Sequence, residues 1–129
     1  MNKKIPPWIM VWSGLMALIP LGFSILDYVD PSIMFPAEAV AATTIWAGPV
    51  GLYVSRNMAT ALATIFAMSQ RSASMLILAL LLRIIEDVFD VIHNGIAGTA
   101  DLTLITSAAI LIGGSAFAIS KLWPLRETA

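Results

Sequence analysis

Six polar side chains fall on one face of an otherwise apolar stretch. Wound at about 100° per residue, Arg83, Glu86, Asp87, Asp90, His93 and Asn94 occupy an arc of roughly 120°. Leu76, Ile77, Leu80, Leu81, Ile84, Ile85, Val88, Phe89 and Ile92 make up the rest of that helix. A preceding apolar stretch carries Arg56, with Tyr53, Asn57, Thr60 and Thr64 on neighbouring positions. Carboxylates beside guanidiniums, removed from bulk water, are the groups that bind oxygenated or anionic molecules and exchange protons with them.

The elements that must position these groups are membrane helices. Of 129 residues, 59% are hydrophobic and 12% charged, and the mean hydropathy is +0.89. A soluble domain carries about 25% charged residues, so this chain has more apolar side chain than an interior of its own could hide. Seven Lys and Arg against eight Asp and Glu give a net charge of −1. No basic patch invites nucleic acid. With no cysteine and one histidine, disulfides, thiol nucleophiles and Cys/His zinc sites are excluded.

The expected fold is all-α: an integral membrane four-helix bundle forming a single domain over 1–129. The spans fall at about 8–26, 47–68, 74–92 and 102–120, each near the roughly 20 residues that a crossing needs. Residues 37–46 read as a short amphipathic or re-entrant segment. The first apolar run is too long for a signal peptide, and no small-x-small site follows Leu26. Lys3, Lys4, Arg71, Lys121 and Arg126 then share one side, opposite Asp27, Asp30, Glu38 and Asp101. Basic residues stay inside, so both termini are expected to be cytoplasmic in a multi-pass protein of the cell membrane. Trp8, Trp12 and Trp123 mark the inner interface and Tyr28 the outer one.

Arg56, Arg83, Glu86, Asp87 and Asp90 therefore lie inside predicted spans. A charge at the bilayer centre costs about 2.5–3.5 kcal/mol on insertion scales, so such groups pair with one another or meet water. Span three enters near Ser74, which puts Arg83 about 13 Å deep and Asp90 about 24 Å deep. Arg56 reaches a similar middle depth and is expected to pair with Glu86 or Asp87. Two guanidiniums against three carboxylates leave one acid over. Asp90 is expected to be the least compensated, with His93 one turn outward as a relay to the surface.

The expected site is a pocket between spans two and three. Asp90, Glu86, Asp87 and His93 would be its catalytic acids and bases, and Arg56, Asn57, Arg83 and Tyr53 its ligand-binding groups. The same ion pairs would equally brace helices in register without chemistry, Arg83 with Glu86 or Asp87 being an ordinary i, i+3 or i, i+4 pair. Glu86, Asp90 and His93 follow one another at i, i+4, i+7, but with a single histidine no metal site is expected, and no cofactor is implied. The four-residue repeats Ala59, Ala63, Ala67 and Ala109, Gly113, with Gly114 and Ala118, permit close helix approach. That approach would be internal packing or a homo-oligomer seam.

The run Gly48-Pro49-Val50-Gly51, then Ser55-Arg56-Asn57, then an acidic third span reaching His93-Asn94-Gly95, resembles small four-span bacterial membrane proteins of unknown function, similar to the DoxX-like group. The resemblance covers about residues 44 to 98. It implies the four-helix membrane architecture and marks Arg56 as a site residue, without an activity. Proteins of that group often have an acid after the arginine, where this chain has Asn57, and a histidine in the fourth span, where this chain has none.

Three functions are expected to compete. The first is an acid/base pocket that binds a lipophilic small molecule and isomerises, cyclises or hydrolyses it. The second is a proton-coupled small transporter or ion pathway, against which stands the lack of an internal repeat. Small multidrug-resistance proteins are not resembled, because span one has no carboxylate before Asp27. The third is a noncatalytic membrane subunit.

Overall fold

A computed structural model of the chain describes residues 4–33, 35, 37 and 48–126. Among them the protein is all-helical: α1 (Pro7–Val29), α2 (Gly48–Ser69), α3 (Ala73–Ala97) and α4 (Leu102–Leu122), with single 3-10 turns at Pro31–Ile33 and Trp123–Leu125. The segment expected at 37–46 lies outside the described residues, apart from position 37.

Local chemistry sets the helix ends. Pro6 and Pro7 open α1, where a missing N–H costs nothing. The Ser72 hydroxyl accepts from the amide of Met75 to start α3, and Asp101 Oδ1 accepts from the amide of Leu104 at 2.7 Å to start α4. Between α2 and α3 the chain turns within Gln70 to Ser72, with Arg71 in the left-handed region at φ 49°. The third helix runs past the expected limit of its span at 92, to Ala97. The cap is Gly98, whose φ of 71° suits a residue without Cβ. Asn94 is spent inside the helix, its Nδ2 donating to the carbonyl of Asp90 at 2.8 Å.

Ile9 of α1, Ala67 of α2, Ala73, Leu76 and Leu80 of α3, and Ala118 and Leu122 of α4 share one buried apolar cluster. The start of α1, the end of α2, the start of α3 and the end of α4 therefore meet at one end of the molecule, and the helices alternate in direction. Leu76 and Leu80, expected on the apolar outer face, have no exposed surface. The reason is periodicity: residues 73, 76, 80, 83 and 87 form one inward stripe, apolar in its first half and charged in its second. One helix face thus serves the core at one end and the polar site at the other.

α1 packs mainly on α2, and α3 mainly on α4. The contact between α2 and α3 is the sparser one, and it carries the charges. Pro7–Val29 and Leu102–Leu125 are long and apolar enough to cross a membrane. α2 and α3 miss that standard because of Arg56 and Asn57 in the one and Arg83, Glu86, Asp87 and Asp90 in the other. Large apolar side chains nevertheless point outward from all four helices, among them Val11, Leu18, Leu52, Phe66, Leu78, Ile110 and Phe117.

Candidate functional site

The seam between α2 and α3 is a chain of polar contacts. At its more open end Arg56 meets Asp90: Nη2 lies 2.9 Å from Oδ1 and 3.1 Å from Oδ2. These two side chains keep 36% and 32% of their surface exposed. The expected partners of Arg56, Glu86 and Asp87, are instead held within α3 by Arg83. Its Nη2 is 2.8 Å from Asp87 Oδ1, and its Nη1 is 3.4 Å from Glu86 Oε2. Helical spacing explains the division. Residues 86 and 87 lie one turn from Arg83 on its own face, whereas Asp90 is two turns away and falls to the cation of α2.

Two neutral side chains of α2 complete the seam. Asn57 accepts from Arg83 Nη1 on its Oδ1 at 2.9 Å and donates to the Tyr53 carbonyl at 3.1 Å. Its amide thus meets a guanidinium on one side and backbone on the other, a task that needs a side chain able both to accept and to donate. The Thr60 hydroxyl donates to Glu86 Oε1 at 2.5 Å. The Tyr53 ring lies under the Arg56 guanidinium, 5.6 Å from centroid to Cζ, and meets the edge of Phe35.

Of the expected site residues, Tyr53, Arg56, Asn57, Arg83, Glu86, Asp87 and Asp90 are thus gathered by this network. His93 is apart from it. It is exposed, tilted against the Phe89 ring at 5.9 Å, and among the described residues makes no hydrogen bond or ion pair. Asp90 differs from expectation in being paired rather than the uncompensated acid.

A buried acid without a cation among the described residues is Asp27. It was expected in the connection after the first span, but α1 carries it inward. It is 1% exposed, and among the described residues neither carboxylate oxygen has a hydrogen-bond partner. The Tyr53 phenol lies within electrostatic reach of Asp27, Asp90, Arg83 and Arg56, which joins α1 to the same polar region. A sequence signal for this existed. Ser13, Ala17, Pro20, Ser24 and Asp27 form a small or polar stripe at spacings of three, four and seven residues, and every member is buried. Val11, Leu15, Leu18, Ile19 and Phe23 on the other faces are exposed. In a helix this apolar, a small polar stripe marks the protein-facing side.

Three carboxylates, Glu86, Asp87 and Asp90, therefore face two guanidiniums, and Asp27 lies apart from both. Asp87 Oδ2, Arg56 Nε and Arg83 Nε are also buried without partners among the described residues. Buried polar atoms of this kind are ordinarily satisfied by water or a bound molecule. Among the described residues no group of three or more metal-ligating side chains is assembled.

Fold and site together define a class: an all-helical protein with an apolar exterior and an acid-rich polar seam. No protein family, curated protein or solved structure matches the chain.

Proposed function

We propose that this is a small polytopic membrane protein, crossing the cell membrane four times with both termini cytoplasmic, in which the α2–α3 seam is an acid/base pocket for a lipophilic small molecule. Support for the membrane reading comes from the outward apolar side chains on all four helices, a surface too large to leave in water. The charges of α2 and α3 are turned toward one another, as an apolar solvent demands.

One observation carries the pocket: acceptors and donors on both sides of the seam, Asp87 Oδ2, Arg56 Nε and Arg83 Nε, are buried and unpartnered. They call for a polar guest between the helices. Arg56 and Asp90, a third exposed at the open end, are the groups such a guest meets first. A carboxylate released from its arginine there takes or gives a proton, the step common to isomerisation, cyclisation and hydrolysis.

The test is a lipid extract of membranes holding wild type, Asp87→Asn or Asp90→Asn, compared by mass spectrometry. The expected outcome is a hydrophobic species that changes with wild type and is restored to the control level by either variant. Identical extracts together with lower detergent stability of both variants would instead assign the network to bracing. The surplus of acids over guanidiniums favours a second reading, proton-coupled transport. Substrate-driven proton uptake in liposomes, lost in Glu86→Gln or Asp90→Asn, would identify it.

A further inference from the structure

The described cations that the seam does not use, Lys4, Arg71, Lys121 and Arg126, gather at one end of the molecule. Each is tied there by a near neighbour in the chain: Ile5, Met68, Leu122 and Leu125 all belong to the shared apolar cluster or pack against it. Among the described residues none of these four cations forms an ion pair. The described acids lie elsewhere, Glu86, Asp87 and Asp90 in the seam and Asp27, Asp30 and Asp101 toward the opposite helix ends.

Aromatic rings occupy the same end. Where α1 meets α4, the Trp8 ring stacks on Phe117 with centroids 5.5 Å apart, and Lys121 Nζ lies over the Phe117 ring at 5.3 Å. All three side chains are exposed. Helical side chains lean toward the helix N-terminus, and Phe117 stands one turn before Lys121, about 6 Å along the axis. On the four-crossing reading that direction leads into the bilayer. A lysine at a membrane boundary ordinarily stretches its ammonium the other way, toward water. Lys121 instead holds its charge against the aromatic pair, at the level that interfacial tryptophans share with lipid headgroups. Arg126 is spent differently: its guanidinium lies 4.1 Å from the Trp123 ring centroid and donates to the Trp123 carbonyl at 3.3 Å.

We infer that Lys121, Phe117 and Trp8 form a docking site for an anionic phospholipid, its phosphate paired with the Lys121 ammonium and the upper part of an acyl chain laid along the two rings. This rests on the reading of the chain as a four-crossing membrane protein and names a lipid that it holds. An ammonium over a ring keeps that attraction while its remaining hydrogens bond a phosphate. Net charge selects the lipid: a choline headgroup brings its own cation to the phosphate, whereas phosphatidylglycerol brings none. Anionic lipids populate the cytoplasmic leaflet, the side on which a basic end lies.

The experiment uses the full chain reconstituted in phosphatidylcholine bilayers. Chain-brominated phosphatidylglycerol or chain-brominated phosphatidylcholine is titrated in as a quencher of tryptophan fluorescence. Trp8 and Trp123, 42% and 53% exposed, report the lipid beside them. Wild type is expected to prefer the glycerol lipid by about 5-fold, the weight of one basic residue at an anionic surface. Lys121→Gln should abolish most of that preference. Arg71→Gln, at the same end but with no ring contact among the described residues, should keep most of it. Both side chains are exposed, so neither variant threatens the fold. Equal quenching of wild type by the two lipids overturns the site and leaves the membrane reading standing. Equal losses from Lys121→Gln and Arg71→Gln also overturn it, in favour of a diffuse attraction to the whole basic end. If neither brominated lipid quenches wild type, the chain does not sit in the bilayer and both readings fall.

Discussion

Arg56 of α2 and Asp90 of α3 form the one ion pair between different helices among the described residues, a single guanidinium nitrogen touching both carboxylate oxygens at 2.9 and 3.1 Å. The pairs of Arg83 with Glu86 and Asp87 stay within α3. Polar contact between α2 and α3 rests on this pair and on two charge-assisted hydrogen bonds, Arg83 to Asn57 and Thr60 to Glu86.

Breaking the interhelical pair should cost little, because both side chains are about a third exposed. Arg56→Gln and Asp90→Asn are each expected to lower stability by about 1 kcal/mol, well under the roughly 3–5 kcal/mol of a fully buried pair. Thermal melts in detergent read this. A double-mutant cycle should return most of the loss as coupling; additive losses would show that the two residues act independently.

Arg83 is the more expensive site. Its side chain is 13% exposed, and its removal strands Glu86 and Asp87 together. Arg83→Gln should destabilise by about 3–5 kcal/mol and reduce the amount of folded protein recovered. Adding Asp87→Asn should recover a large part of that loss. A single variant that melts like wild type would refute the assignment of Arg83 as the cation holding these acids.

Close packing of α1 on α4 gives a third expectation. A Cβ on Gly114 would fall 2.2 Å from Cζ2 of Trp12, whose indole N–H donates to the Ser115 hydroxyl at 3.2 Å. Alanine gains up to about 1 kcal/mol of helix propensity, against about 1–3 kcal/mol for forcing the ring aside. Gly114→Ala should therefore lower the melting temperature. Gly113, where a Cβ meets open space, should accept alanine with no loss, so the neighbouring pair separates packing from propensity.

The proposed crossing pattern is open to direct labelling, since the chain has no cysteine. Single cysteines at Lys4, Arg71 or Lys121 should react with a membrane-impermeant maleimide only after the cells are opened. Cysteines at Asp30 or Thr99 should react in intact cells. Labelling of Arg71→Cys from outside would invert or abolish the four-crossing reading.

Much of this was legible in the residues. The apolar runs gave four helices within a few residues of their ends, and the 3.6-residue period placed Arg83, Glu86 and Asp87 on one face. The pairing was less legible. Sequence distance makes Glu86 and Asp87 as near to Arg56 as Asp90 is, and only the relative height of α2 and α3 decides among them. Asp27 escaped because it was read with the turn residues that follow it. Its membership of the Ser13–Ser24 stripe shows only when burial along α1 is compared face by face. The end of α3 is legible only to within a few residues, because Gly95 and Gly98 both suit a stop and only the backbone shows that the left-handed position falls at Gly98.

The interhelical pair also bears on the order in which the chain is made. α2 contains no acid of its own, and the carboxylate that neutralises Arg56 lies 34 residues downstream. On the four-crossing reading, α2 reaches the insertion machinery carrying an unanswered cation and must wait there until most of α3 has been synthesised. The two segments then enter the bilayer together as a hairpin, so a lengthened turn at Gln70 to Ser72 would tax biogenesis more than it would the finished protein.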